Sequence, residues 1–376
     1  MRVIHVFSAL FQGGAESQLE RIIDSSDDSI EHVVVSLKSV ETPLVKRLRL
    51  KGVRVAMCDI QGTFGFWGVL KLRRTIKELC GPSTVLQCWM YHANFLGWFA
   101  AVGLSCPVFW NIRRSLPPAG FTGLISKLCA LISRFSKVRI FCNSISGIET
   151  HKEQGYREDS LIYLPNGFDS NGFVGNSAKC NHIGISENDV NLVCVGRYDP
   201  IKGHRILIEA FSFQKNFLPK ETWDRLKLYF IGREVEYAPD IQRALKEFSL
   251  GGKVRFLGER EDVKEILPCF DMFCLPSISE GFPNVLVEAM LAGLPCVATD
   301  AGDSARILGS EEFVSVPGDP STMAEKIHRL LMLDESARLS LGKGNRSLVV
   351  DRYSIKKTLA QYQSFYQAAI FEMPGS

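Results

Sequence analysis

Two glutamates eight positions apart, Glu280 and Glu288, bracket the segment Gly281-Phe282-Pro283-Asn284, after which the residues take on helical periodicity. An apolar stretch, Met272–Leu275, reads as a strand, so Glu280 falls in a strand-to-helix loop. Pro283 suits a first helical turn and Gly293 a stop. Glu288 then sits roughly 7 Å along the helix axis. A helix start offers free N–H groups and a positive dipole end, a seat for phosphate. A carboxylate beside that seat repels phosphate and should accept hydrogen bonds from hydroxyls instead. Two such carboxylates flanking an anion seat fit a ligand with a sugar at each end of a diphosphate, which describes a nucleotide sugar. The spacing alone equally fits an acidic helix cap at Glu280 and a solvated face at Glu288.

Three more loops carry polar residues after apolar runs. Val195-Gly-Arg-Tyr-Asp-Pro-Ile-Lys-Gly-His204 places Arg197 and Lys202 between two turn glycines. Two cations there can hold the charge that develops on a leaving diphosphate; as solvent-facing loop charges they would do nothing. Gln12-Gly-Gly-Ala-Glu-Ser17 lacks the Gly-x-Gly-x-x-Gly spacing of a dinucleotide fingerprint, and its Gly13-Gly14 pair also fits a plain sharp turn. Cys88-Trp-Met-Tyr-His-Ala-Asn94 puts His92 near a strand end, as a ligand-facing or a structural residue.

The elements that must position these loops alternate strand and helix. Strands are expected at Val3–Phe7, His32–Ser36, Arg54–Cys58, Val85–Gln87, Val108–Ile112 and Val138–Cys142, with helical patterns such as Glu16–Asp24, Pro43–Lys51 and Phe66–Leu79 between them. A polar stretch from Pro165 to Asp189 reads as a linker. A second series follows at Leu192–Val195, Leu226–Ile231, Val254–Phe256, Met272–Leu275, Cys296–Ala298 and Phe313–Val316, with helices at His204–Phe213, Ala238–Phe248, Glu261–Leu267 and Asn284–Leu291. The pattern predicts two doubly wound α/β domains with ligands beyond the carboxyl ends of the strands.

The chain has 376 residues, 46% of them hydrophobic, which excludes a disordered tail protein and a collagen. Its net charge of +3 averages unequal halves. Residues 1–170 hold 20 basic and 14 acidic side chains, whereas the remainder holds 24 and 27; within 38–139 there are 16 cations against Glu41, Asp59 and Glu78 alone. Such a first half should meet something anionic. Eleven scattered cysteines with no Cys-x-x-Cys pair argue for reduced thiols in a cytoplasmic compartment, without a disulfide framework or a zinc site. The apolar stretch from Ala93 to Trp110 is broken by Asn94 and Pro107, so no transmembrane segment is expected. No signal peptide is expected either, since Met1–Phe7 reads as a first strand.

Taken together, the loops resemble the retaining glycosyltransferases of family 4, along essentially the whole chain. The likeness rests on Gly13-Gly14-Ala15-Glu16, Trp89-Met-Tyr-His92, Pro165-Asn-Gly-Phe-Asp169, Gly196-Arg197 with Lys202-Gly203, Phe256-Leu-Gly258 with Val263, and above all the Glu280/Glu288 pair. It is nearest to the branch that builds bacterial surface polysaccharides such as O-antigen. The resemblance implies the GT-B architecture, two Rossmann-like parallel-sheet domains facing across a cleft. Residues 1–170 would bind acceptor, residues 171–353 would bind the nucleotide-sugar donor, and the last helix, about 354–376, would pack back on the first domain.

It also implies roles. Arg197 and Lys202 would hold the donor diphosphate, Glu288 the ribose and Glu280 the transferred sugar. Gly281, Phe282, Asn284 and Val285 would complete the sugar side; Arg233, Gly258, Glu259 and Arg260 would line the base pocket. Gly14 would approach the phosphate or the acceptor by backbone, His92 would contact the sugar near the reacting carbon or the acceptor, and Gly13, His92, Arg113 and Arg114 would face the acceptor. Two departures leave the donor sugar open: Pro283, where a glycine is common, offers no N–H, and Asp303 stands where a second glycine is common. No sequence position marks a nucleophile or a metal-binding acidic cluster, which favours metal-independent, front-face transfer and no cofactor.

The cations from Lys71 to Arg139, interleaved with Phe64, Phe66, Trp67 and Phe121, suit a peripheral seat on the anionic inner face of the cytoplasmic membrane. There a polyprenyl-diphosphate-linked saccharide acceptor, which the resemblance implies, would be presented. A soluble protein with a basic face remains open at this point. No nucleic-acid motif accompanies the charge. The competing readings are a non-hydrolysing nucleotide-sugar epimerase and a nucleotide-sugar-binding protein without turnover.

Overall fold

The computed structural model describes residues 1–11, 13–60, 65–173, 180, 182–186 and 188–373, without the Phe66 side chain. Gln12, Thr63, Phe64, residues 174–179 of the expected linker and residues 374–376 of the expected last helix therefore lie outside the described residues. The chain forms two compact units, Met1–Asp169 with Tyr353–Ser376, and Ser170–Arg352.

The first unit is a seven-stranded parallel sheet of β1 (Arg2–Phe7), β2 (Glu31–Ser36), β3 (Arg54–Met57), β4 (Thr84–Trp89), β5 (Val108–Ile112), β6 (Arg139–Cys142) and β7 (Leu161–Tyr163), in the order β3-β2-β1-β4-β5-β6-β7. The second is a six-stranded parallel sheet of β8 (Val190–Val195), β9 (Leu226–Ile231), β10 (Val254–Phe256), β11 (Met272–Leu275), β12 (Cys296–Thr299) and β13 (Val314–Ser315), in the order β10-β9-β8-β11-β12-β13. Each order reverses once, between β1 and β4 and between β8 and β11. Strands such as Thr84–Trp89 and Met272–Leu275 are buried along their whole length, because helices cover both faces and leave no solvent side to alternate toward. β7 went unrecognised in the sequence, where Leu161–Tyr163 runs straight into the polar stretch read as a linker.

The terminal helix (Ile355–Phe371) closes the first sheet. Its Tyr362 and Tyr366 set their ring edges on Phe141 and Phe109, with centroids 5.1 and 5.0 Å apart, and the Tyr366 hydroxyl donates to Gln87 at 2.8 Å. One expectation fails in the second unit. Cys180 and Cys269 form a disulfide with their Cα atoms 5.5 Å apart; the other nine cysteines are free thiols. The partners are 89 residues apart, so only the fold brings them together. Among the described residues, no helix is long and apolar enough to cross a membrane.

A buried polar chain runs through the first unit. Trp89 donates its indole N–H to His5 Nδ1 at 3.3 Å; His5 Nε2 lies 3.0 Å from His32 Nδ1, and His32 Nε2 lies 2.9 Å from the Ser26 hydroxyl, which donates to the Ile22 carbonyl at 2.7 Å. An indole can only donate, so each imidazole must accept on one side and donate on the other, which requires both rings to be neutral. Burial lowers both pKa values, that of His5 well below the ordinary range and that of His32 to about 4. The unfolded chain therefore binds protons more readily than the folded one below about pH 6.5. Stability should be fully present above that pH and fall as pH drops toward 4, by about 2 kcal/mol between pH 7 and 5 for His32 alone. Urea unfolding at the two pH values checks this; equal midpoints and slopes would contradict it.

Candidate functional site

The carboxyl edge of the second sheet is laced strand to strand by backbone hydrogen bonds. The Gly232 amide donates to Gly258 at 2.8 Å, Tyr198 to Arg233 at 2.8 Å, Ile278 to Ile201 at 2.7 Å and Asp303 to Gly281 at 2.9 Å. These bonds tie together the loops after β10, β9, β8, β11 and β12. The tightest point is Gly203, at φ +68°, where an added Cβ would meet the Pro276 carbonyl oxygen at 2.0 Å. Only glycine permits that approach. It holds the loop after β8 against the loop after β11, at the position where the strand order reverses.

This contact brings Lys202 and Glu280 together. Lys202 Nζ donates to Glu280 Oε1 at 2.6 Å, and the Ser277 hydroxyl donates to the same oxygen at 2.6 Å. The carboxylate side chain is only 10% exposed, so the pair is hydrogen-bonded and mostly removed from water. Lys202 ends the 3-10 turn Pro200–Lys202, whose start is capped by Asp199 accepting from the Ile201 amide at 3.2 Å. Asp199 also holds Arg197 at 2.9 Å, leaving that guanidinium mostly exposed beside the edge. On the other flank, the Thr299 hydroxyl donates to the Ser277 carbonyl at 2.5 Å, steadying the Glu280 loop from β12. The sequence reading missed Ser277, Asp199 and Thr299. An Asp before a Pro is a legible cap signal, whereas the Thr299 contact depends on β12 lying beside β11.

The remaining residues expected to meet a donor surround this pair. Pro283 precedes the helix Asn284–Leu291, whose start has no side-chain cap, and Val285 follows in its first turn. Gly281 receives the Asp303 amide, Phe282 is buried, and Glu288 is half-buried in the second turn. Gly302, at φ +61°, presses against the Glu280 and Gly281 carbonyls, so the loop from β12 backs the segment the donor sugar would meet. Arg233 and Glu259 are exposed and Gly258 has φ +66°. Arg260 is paired bidentately with Asp262, at 2.8 Å for each bond, which raises its pKa and commits its guanidinium to a neighbour. Among the described residues, no group of three or more His, Cys, Asp or Glu is arranged to hold a metal.

In the first unit, the residues after β1 and β4 likewise lie where the strand order reverses. Gly13 caps the helix Gly14–Ser25 in extended conformation, and the Glu16 carboxylate folds back over it, 2.7 Å from where a Cβ would stand. Burial raises the Glu16 pKa. The helix start near Gly14 is thus covered by a carboxylate of its own chain. His92 lies in the first turn of the helix Met90–Ala101, three residues past the end of β4 at Trp89, where Met90 turns the chain sharply at φ +68°. Burial, with Lys38 nearby, lowers the His92 pKa, favouring the neutral ring, which packs 6.3 Å from Phe121. Arg113 departs from its expected acceptor-facing role. Its guanidinium donates to the Tyr362 hydroxyl at 2.7 Å, Asn111 at 3.2 Å and Asn166, and lies 4.8 Å over the Trp89 ring. It ties the terminal helix to the sheet. Its neighbour Arg114 is exposed.

Residues 189–332, which include Lys202 and Glu280, match the family model described as glycosyl transferases group 1. N-acetyl-alpha-D-glucosaminyl L-malate synthase of Bacillus anthracis is 28% identical over 185 residues, 49% of this chain and 46% of that protein. UDP-Gal:alpha-D-GlcNAc-diphosphoundecaprenol alpha-1,3-galactosyltransferase of Escherichia coli is 25% identical over 214 residues, 55% of this chain and 54% of that protein. The chain thus spans about half the length of each of these two relatives. The crystal structure of Anabaena HepE in complex with UDP superposes with a TM-score of 0.84 at 22% identity, covering 98% of this chain and 100% of that one. The fold is GT-B.

Gly203→Ala should cost on the order of 3 kcal/mol, from overpacking plus an unfavourable φ. Gly258→Ala, also at positive φ but with no atom within 4 Å of the added Cβ, should cost only about 1 kcal/mol. Urea denaturation of the two variants measures both, and equal losses would contradict the close approach.

Proposed function

We propose that this chain is a retaining, metal-independent glycosyltransferase that moves a sugar from a UDP-linked donor to a lipid-linked saccharide acceptor. One observation carries the reading. A half-buried lysine–glutamate pair, with Arg197 and Glu288 on the adjoining loop and helix, sits at the reversal point of the second sheet, where α/β folds bind ligands. The glycosyl transferases group 1 domain and the UDP-bound structural neighbour support a nucleotide-sugar donor.

In this reading the donor diphosphate lies over the start of the helix Asn284–Leu291. Lys202 exchanges Glu280 for phosphate oxygens, and Arg197 leaves Asp199 to join it. Glu280 is then freed to accept hydroxyls of the transferred sugar, while Glu288 accepts from the ribose. The bond from the sugar's anomeric carbon to the diphosphate oxygen breaks with its electron pair going to phosphate, and the two cations stabilise that charge. The acceptor hydroxyl attacks the same face, and its proton passes to the departing diphosphate.

The acceptor side rests on different support. The Escherichia coli relative is named for a diphosphoundecaprenol-linked acceptor. In the first unit, the helices Phe66–Leu79, Met90–Ala101 and Gly120–Phe135 pack side by side and expose Trp67, Leu70, Phe99, Phe121, Leu124 and Phe135 among Arg74, Lys77, Lys127 and Arg134. Apolar side chains interleaved with cations fit an anionic lipid surface, such as the inner face of a cytoplasmic membrane. A second reading, transfer to a small soluble acid, is favoured by the relative named as a malate glucosaminyl synthase.

Turnover of UDP-sugars with and without lipid-linked acceptor, followed by UDP release, separates these readings. Lys202→Ala should lower kcat by about 100-fold or more, while a chelator should leave the rate unchanged. Near-normal kcat in the variant would overturn the diphosphate role, and chelator inhibition the metal-independent mechanism. Replacing Arg74, Lys77 and Lys127 together by Gln should weaken binding to anionic vesicles by about two orders of magnitude, at about 1 kcal/mol per cation. Co-sedimentation unchanged from the parent protein would remove this face from the membrane.

A further inference from the structure

The edge of the first sheet opposite His92 and Gly13 holds a cavity of about 640 Å³, within the roughly 300–1,000 Å³ that small-molecule sites span. It lies at the amino ends of β5 and β6, beneath the last turn of the terminal helix. Trp98, Val108, Phe109, Ala369 and Met373 contribute apolar wall, and Lys137, Arg139 and Arg157 contribute cations. We infer that this cavity is a second ligand site, separate from the donor site, for a single-chain amphiphile with an anionic head.

Three observations point to that chemistry. First, Arg139 is held bidentately by Glu372, at 2.9 Å for each bond, but that carboxylate side chain is 63% exposed and stands just past the end of a helix. A negative group at the helix C-terminus is disfavoured by the dipole, so Glu372 yields Arg139 to a competing anion at little cost. Second, Lys137 lines the cavity with an exposed side chain and has no ion-pair partner among the described residues, whereas Arg157 is paired with Asp159 of the same wall. An unpaired cation at the mouth of an apolar cavity is placed to receive an anionic head. Third, Phe135 and Phe371 flank the lining residues and are each 85% exposed, giving an apolar chain a surface to enter along. The wall then takes the chain, while Arg139 and Lys137 take the head.

The head is a phosphate or a carboxylate, and titration with decyl phosphate and with decanoate, each below its micelle concentration, separates the two. Trp98 in the wall makes intrinsic fluorescence a direct readout, with Trp98→Phe identifying its share of the signal. At least one amphiphile should bind saturably, with neutral decanol at least about tenfold weaker. Arg139→Gln should weaken binding by about tenfold, the scale of one charge-assisted bond. Glu372→Gln should tighten it by removing the internal competitor. Melting curves establish that each variant is folded, and Lys137→Gln, at an exposed side chain, gives a second loss of affinity independent of the Arg139 pair. Saturable binding that survives excess UDP, with opposite effects of Arg139→Gln and Glu372→Gln, establishes the site. No saturable binding, equal binding of decanol, or a Glu372→Gln loss as large as that of Arg139→Gln overturns it. Competition by UDP would overturn its separateness, whatever the outcome for glycosyl transfer.

Discussion

The second unit depends on how closely two pieces of backbone can approach. Gly203 and the Pro276 carbonyl stand where no side-chain carbon fits between them, and that approach lets the Ile278 amide reach Ile201. With the loops fixed at this separation, a lysine at the end of one and a glutamate on the other meet at 2.6 Å. Had the loops stood wider, the same residues would be two solvated charges worth little. The geometry turns them into a mostly buried pair that neutralises itself at rest and presents both signs to a ligand that separates them.

The two units solve the same topological problem with different materials. At the reversal point of the second sheet, backbone amides and carbonyls do the tying, and the side chains remain available for chemistry. In the first, the polar residues near the reversal are used up internally. Trp89 feeds a chain of neutral imidazoles, Arg113 holds a tyrosine of the terminal helix, and the Glu16 carboxylate lies over its own helix start. His92, half-buried and next to the left-handed turn at Met90, is the first-unit residue of the sequence set that combines a perturbed titration with a place at that edge.

Much of this was legible in the sequence, for an identifiable reason. Strands buried on both faces are continuous apolar runs, so Met272–Leu275 stands out at its observed bounds, and so does Leu226–Ile231 with only Lys227 interrupting it. The loop residues that follow them, Arg197, Lys202 and Glu280, inherit a known position, because in a parallel sheet every second connection starts at the same edge. What the sequence hid depends on distance along the chain. The Cys180–Cys269 disulfide, the hold of Thr299 on the Glu280 loop and the capture of Arg113 by Tyr362 join residues between 22 and 249 positions apart. No local pattern encodes such pairs. β4 also runs two residues past its expected end at Gln87 before Met90 turns, which sets His92 in the first helical turn just beyond the strand.

The path of the chain between units has a consequence for how the molecule is made. Residues up to Asp169 lay down all seven strands of the first sheet, yet the helix that covers Phe109 and Phe141 comes from residues 355–371, after the second unit is complete. A ribosome moving from amino to carboxyl end therefore releases a first sheet with a bare aromatic face, and keeps it bare while the 183 residues of Ser170–Arg352 are synthesised. Arg113 and Gln87 wait through that interval without the tyrosine hydroxyls that later bind them. The helix Ile355–Phe371 thus completes the first unit, and a nascent chain stalled or cleaved shortly before Ile355 carries a finished second unit and an unfinished first one, ready to be recognised by chaperones and proteases.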